Sequence, residues 1–117
     1  MHVPPDITAV KAALCAAGQN AVDASYVHGA AEVVEALQTS RDNVQAAIGA
    51  LHALCPADPT SCAVLQSIEG LTTRLDSALL VARQLDPVDG QLPVGTVDPV
   101  FVELEHAAEL LFASRWG

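Results

Sequence analysis

Three side chains near the middle of the chain have types and spacings that could do chemistry. His52 and Cys55 stand one helical turn apart, and Cys62 follows across the turn CPADPTSC. An imidazole and two thiolates are zinc-type donors, and Asp58 or His106 would complete a four-ligand set. No paired CxxC or HExxH supports that set, and His2 and His28 lie elsewhere. A metal- or ligand-binding bundle using His52, Cys55 and Cys62 is therefore the rival reading, and no cofactor is expected. The same cysteines allow a different chemistry, a disulfide that clips the turn. In the chain-entropy model so short a loop gains about 2 kcal/mol, which native strain can cancel. The alternative is two small buried thiols in a reducing compartment. Cys15 has no partner nearby in sequence and is expected in the core.

The carboxylates offer less. Asp86, Asp89 and Asp98 share one segment, but lack the alternating ligands and terminal Glu of an EF-hand, so turn formation and helix capping explain them better. Ser77, His106 and Asp76 could be written as a hydrolytic triad, as similar residues could in most helical proteins. Nothing in the pattern makes them converge. A G-x-S-x-G, a P-loop and a dinucleotide fingerprint are all missing. The chain reads as a non-enzyme, with no catalytic residue.

The elements that would position these groups are helices. From Ala12 to Cys55 the chain can be written as four blocks of eleven: AALCAAGQNAV, DASYVHGAAEV, VEALQTSRDNV and QAAIGALHALC. Val22, Val33, Val44 and Cys55 form one register, Cys15, Tyr26, Leu37 and Ile48 a second, and Gly18, Gly29, Ser40 and Leu51 a third. Eleven residues in three turns stay on one face of a straight helix. The expectation is one long helix, or two nearly collinear ones broken near His28-Gly29, where Ser25 to Gly29 form helix poorly.

Residues 1–5 read as an extended lead-in before Asp6, a candidate N-cap. Pro56 ends the long helix, Asp58 caps the next, and Pro59 suits its first position. That helix should run from Pro59 to about Leu85, antiparallel to its predecessor, with Val64, Ile68, Leu71, Leu75, Ala78, Ala82 and Leu85 as its seam. Residues 86–98, with three prolines and two glycines across Asp86 to Pro99, read as an irregular loop. A last helix, 99–115, should bury Phe101, Leu104, Ala108 and Leu111.

The fold class is thus all-α, a single domain over 1–117: an antiparallel helical hairpin or bundle of three to four helices with a long N-terminal segment. Apolar residues make up 51% of the chain but aromatics only 3%, so the core must be Ala, Val and Leu, which suits close helix packing. Fourteen acids against five bases give a net charge of −9. Such a surface repels phosphate backbones and anionic lipid, which argues against nucleic-acid and membrane partners. No window reads as a signal or a span, so the expected location is cytoplasmic, with signal-less export or a virion as the other options.

The Ala/Val/Asp-rich, lysine-poor composition resembles that of high-GC actinobacteria and their phages. In size the chain is similar to the helical-hairpin proteins exported by actinobacterial type VII systems. Its turn, however, is CPADPTSC instead of Trp-x-Gly, and Arg115-Trp116-Gly117 lies at the other end, so no family is assigned.

The expected function is protein–protein interaction, as a structural subunit of an oligomer or larger assembly, or alternatively as a small adaptor or inhibitor of one target. Small residues at one helical phase, Gly18, Gly29 and Ser40, would let another backbone approach closely, flanked by Val22, Val33, Leu37 and Val44. Phe101, Phe112 and Trp116 would anchor the core or an interface.

Overall fold

A computed structural model describes the backbone of residues 5–116 and the side chains of residues 9–111. The described residues form helices and connecting turns, without a strand: α1 (Pro5–Tyr26), α2 (Ala30–Leu54), α3 (Pro59–Ile68), α4 (Leu71–Arg83) and α5 (Asp98–Trp116). A single 3₁₀ turn, Cys55–Ala57, joins α2 to α3. The α-helix already includes Pro5 and Asp6, so Asp6 is not an N-cap. The rest of the proposed lead-in lies outside the described residues.

The largest departure from the sequence reading is at residues 27–29. α1 and α2 are not collinear; they fold back on one another as an antiparallel hairpin. Ser40, fully buried on α2, donates its hydroxyl to the Ala17 carbonyl of α1 at 2.8 Å, which sets the register of the pair. Gly29 makes the reversal, with φ +97° and ψ 135°, a conformation that side chains rarely tolerate. The eleven-residue registers therefore run across a turn and combine residues from two helices. Within each helix the buried positions alternate four and three apart: Val10, Leu14, Ala17, Ala21 and Ala24 on α1, and Val33, Leu37, Ser40, Val44, Ala47 and Leu51 on α2. That is a seven-residue seam, the geometry of helices packed side by side. Spacings of four, seven and eleven are shared by both repeats, which is why the sequence alone supports either.

The second turn follows its sequence reading closely. Asp58 is extended and accepts from the Thr60 amide at 3.1 Å and the buried Ser61 hydroxyl at 2.8 Å, while Pro59 opens α3. The expected single helix from Pro59 to Leu85 is interrupted at Glu69–Gly70 and ends at Arg83. Gly70 and the β-branched pair Thr72-Thr73 weaken the helix there. The seam nevertheless continues across the break through Ile68, Leu71, Leu75, Ala78 and Ala82, so α3 and α4 act as one bent rod. Arg41 of α2 pairs with Asp76 of α4 at 2.6 Å on the surface.

Four rods then pack in a ring, α1 against α2, α2 against α3 and α4, α3 against α5, and α5 back against α1. The molecule is an antiparallel four-helix bundle, 50 × 20 × 19 Å in extent. One end carries the turn from Cys55 to Asp58; the other carries the hinge at 27–29 and the loop of residues 84–97. Leu92 and Val97 plug that loop into the core. Its start is wound round Asp86, whose carboxylate accepts the amides of Val88 at 2.9 Å and Asp89 at 3.0 Å. Those bonds hold the Asp86 carboxyl below its ordinary pKa, the Asp89 amide contributing most. The loop docks on the hinge, with Gly29 donating to the Gly90 carbonyl at 2.8 Å and Ala30 to the Asp86 carbonyl at 3.1 Å.

Candidate functional site

Every buried side-chain polar atom among the described residues has a hydrogen-bond partner. No three His, Cys, Asp or Glu side chains gather in metal-binding geometry among them. Cys55 and Cys62 are joined by a disulfide, with Cα atoms 4.6 Å apart. Their sulfurs are thus committed to each other, and Asp58 is committed to capping α3, which leaves His52 exposed at the end of α2 without its proposed co-ligands. Ser77, Asp76 and His106 are all exposed, with Asp76 facing Arg41.

The proposed interface residues are mostly turned on the chain itself. Gly18, Gly29, Val33, Leu37, Ser40 and Val44 are buried within the bundle, and Val22 is half-buried. Gly29 belongs to a turn and not to a helix groove: a Cβ there would lie 2.8 Å from the Pro87 carbonyl oxygen. Gly18 does leave room for a neighbour, because a Cβ on it would sit 3.9 Å from the Phe101 ring of α5. Phe112 and Trp116 have side chains outside the described set.

Two residues assigned to the core are on the surface. Cys15 is exposed, and Phe101 is 40% exposed. Leu104 and Leu111 of α5 face inward as expected, but Val100 and Ala107 take the inward places assigned to Phe101 and Ala108. The series Phe101, Leu104, Ala108, Leu111 fits a helical stripe equally well on paper. Val97 and Val100 belong to the inward series and decide the phase, by extending it into the loop.

The outward Phe101 shapes a groove between α1 and α5. Its upper half, about 420 Å³, lies beside the loop and is lined by Val22, Ser25 and Tyr26 of α1, by the loop from Gln91 to Gly95 and Val97, and by Asp98 and Phe101. Its lower half, about 260 Å³, runs between Leu14, Cys15, Gly18 and Gln19 of α1 and Phe101, Leu104, Glu105 and Ala108 of α5. Phe101 stands between the two halves as a ridge.

No family model, no curated protein and no solved structure matches this chain.

The exposed apolar residues are unevenly placed. Among the described residues the large ones are Tyr26, Leu80, Val81, Val88, Val94, Phe101 and Val102. All seven sit in the half of the bundle that carries the hinge and the 84–97 loop. Tyr26 is 76% exposed and Val94 fully so, both on the rim of the groove. Leu80 and Val81 form a smaller patch on the last turns of α4. The sequence reading passed over most of these positions because it looked for stripes. Leu80 and Val81 follow Ala78 and Leu79 directly and fall outside the four-three seam, which is the signal that could have found them. No described helix is long and apolar enough to cross a membrane.

Proposed function

We propose that the chain is a non-enzymatic helical interaction module that docks another protein on its loop half. The observation carrying this is that Tyr26, Val94 and Phe101, three of the seven exposed large apolar side chains among the described residues, line one groove between α1 and α5. Apolar surface gathered in one region, rimmed by polar groups, is costly to leave in water and is characteristic of a docking face. The described groove residues supply no converging base and nucleophile, but they do supply an aromatic ridge and an aromatic rim, the side chains that dominate binding energies at interfaces.

Of the two forms of this function, subunit of an assembly and adaptor for one target, the charge favours the second. Two copies at −9 each repel, whereas a basic partner is attracted. For location, the Cys55–Cys62 bond favours an oxidising compartment over the reducing cytosol. Alkylation of protein quenched at harvest, with Cys15 alone modified, is the corresponding readout.

The interaction is tested by placing a photocrosslinking side chain at Val94 and, separately, at Ala46, an exposed position on α2. In the native cell, position 94 should give a discrete adduct and position 46 none. No adduct from 94, or the same adducts from both, would remove the reading.

A further inference from the structure

We propose that the α1–α5 groove takes a basic amphipathic helix, whose apolar side chains two turns apart enter on either side of Phe101 while its lysines or arginines meet Asp98 and Glu105. This rests on the interaction reading above and adds the chemistry of the partner.

The shape of the groove supplies the first argument. Its walls are two antiparallel helices, so a third helix can lie along the furrow as a fifth rod of the bundle, the helix-in-groove mode of recognition. The two halves are centred on α1 near residue 24 and near residue 16. At 1.5 Å per residue that separation is about 11 Å, and positions i and i+7 of a docked helix are about 10.5 Å apart. A ligand helix with bulky apolar residues at that interval reaches both halves and clears the ridge. Gly18 and Ala108 keep the floor and wall of the lower half low.

Charge supplies the second argument, independent of shape. Asp98 lines the upper half and Glu105 the lower, and no lysine or arginine lines either. The charge of −9 extends this sign to the whole chain. Carboxylates on the rim of an apolar furrow attract a cationic partner over distance and then hold the ammonium or guanidinium groups at the water boundary, where they need not be fully desolvated. An acidic partner of the same shape meets like charge at both halves.

The test uses the intact chain with a designed Leu/Lys helical peptide and its Leu/Glu analogue, followed by fluorescence anisotropy. The Lys peptide should bind with one-to-one stoichiometry and the Glu peptide should not. Glu105→Lys should weaken the Lys peptide by about tenfold, whereas Glu35→Lys, the same charge change on α2, should stay within about twofold. Cys15→Trp fills the lower half without altering charge and should also abolish one-to-one binding. Both sites are exposed, and an unchanged far-UV CD spectrum shows that the fold is kept. Equal binding of the two peptides, equal losses at positions 35 and 105, or indifference to Cys15→Trp would overturn the proposal. So would a doubled mass of the chain alone that the peptide cannot displace, which would make a second copy the occupant. If crosslinking from Val94 persists while the peptide arms fail, the partner chemistry is wrong and the interaction stands. If position 94 gives no adduct, the interaction itself falls.

Discussion

Replacing Gly29 by alanine adds one methyl group at the point where the chain first reverses, and the structure sets its cost. The backbone there, φ +97° and ψ 135°, lies in territory almost reserved for glycine, where another residue costs about 1–3 kcal/mol. The new Cβ would also lie 2.8 Å from the Pro87 carbonyl oxygen, closer than real Cβ atoms come. That obstacle is backbone and cannot swing aside as a side chain would. Moving it disturbs the bonds from Gly29 to Gly90 and from Ala30 to Asp86, each worth about 1 kcal/mol. The expected destabilisation is about 2–4 kcal/mol, which for a chain of this length lowers the Tm by roughly 10 °C. Gly49 provides the control. It lies inside α2 with open space where a Cβ would go, so Gly49→Ala should stabilise by about 0.5–1 kcal/mol through helix propensity alone. Thermal melts of the two variants followed by CD should therefore move in opposite directions. A Gly29→Ala variant within about 0.5 kcal/mol of the parent would refute the positive-φ hinge and its docking on the loop.

Three further outcomes follow from the turns. Asp58→Ala should cost about 1–2 kcal/mol in urea denaturation, since it removes the cap of α3 and leaves the buried Ser61 hydroxyl without its acceptor; Asp58→Asn should restore most of that, and failure to do so would argue against the cap. Reduction of Cys55–Cys62 should lower stability by about 2 kcal/mol with helicity unchanged, and loss of the helical CD signal on reduction at room temperature would contradict it. The folded pKa of Asp86 is depressed, so its contribution is fully present above the unfolded value near 3.9 and fades as pH falls through the lower folded value. Asp86→Asn should flatten the stability-versus-pH curve in that acid range alone, and curves that stay parallel there would deny the amide bonds their role.

How far the sequence could be read depended on range. Local signals were legible: Asp58-Pro59 as cap and first turn, the weak stretch near Gly29, and the four-three seam of α3 and α4. The hairpin between α1 and α2 was not legible, because spacings of four, seven and eleven fit both a straight stripe and a pair of packed seams. What settles it is the partner of Ser40, the Ala17 carbonyl, a contact between residues 23 apart that no periodicity encodes. Half of the inward face of α5, Phe101 and Ala108 in place of Val100 and Ala107, was misread for a related reason. Phe101 is the bulkier residue and would be the natural choice for the core, yet burying Val100 brings Val97 in with it while Leu104 and Leu111 are kept. The groove was therefore invisible, since it depends on both the hairpin and the outward position of Phe101. Cys15 looked like core for want of a nearby partner, and lies on the groove wall instead.

The bundle closes where its first helix meets its last. α2, α3 and α4 follow one another round the ring through short turns, so their packing needs little loop closure. The contact of α1 with α5 joins residues more than eighty positions apart, such as Gly18 and Phe101, and it is the seam that completes the ring. The groove lies along that seam. A ligand seated along it as proposed would touch both edges at once and bind only while they are together, so the free energy of binding would add to that of closure. A ligand of the proposed kind would thus stabilise the closed ring, and loosening either terminal helix would lower its apparent affinity in proportion to the fraction of molecules that remain closed.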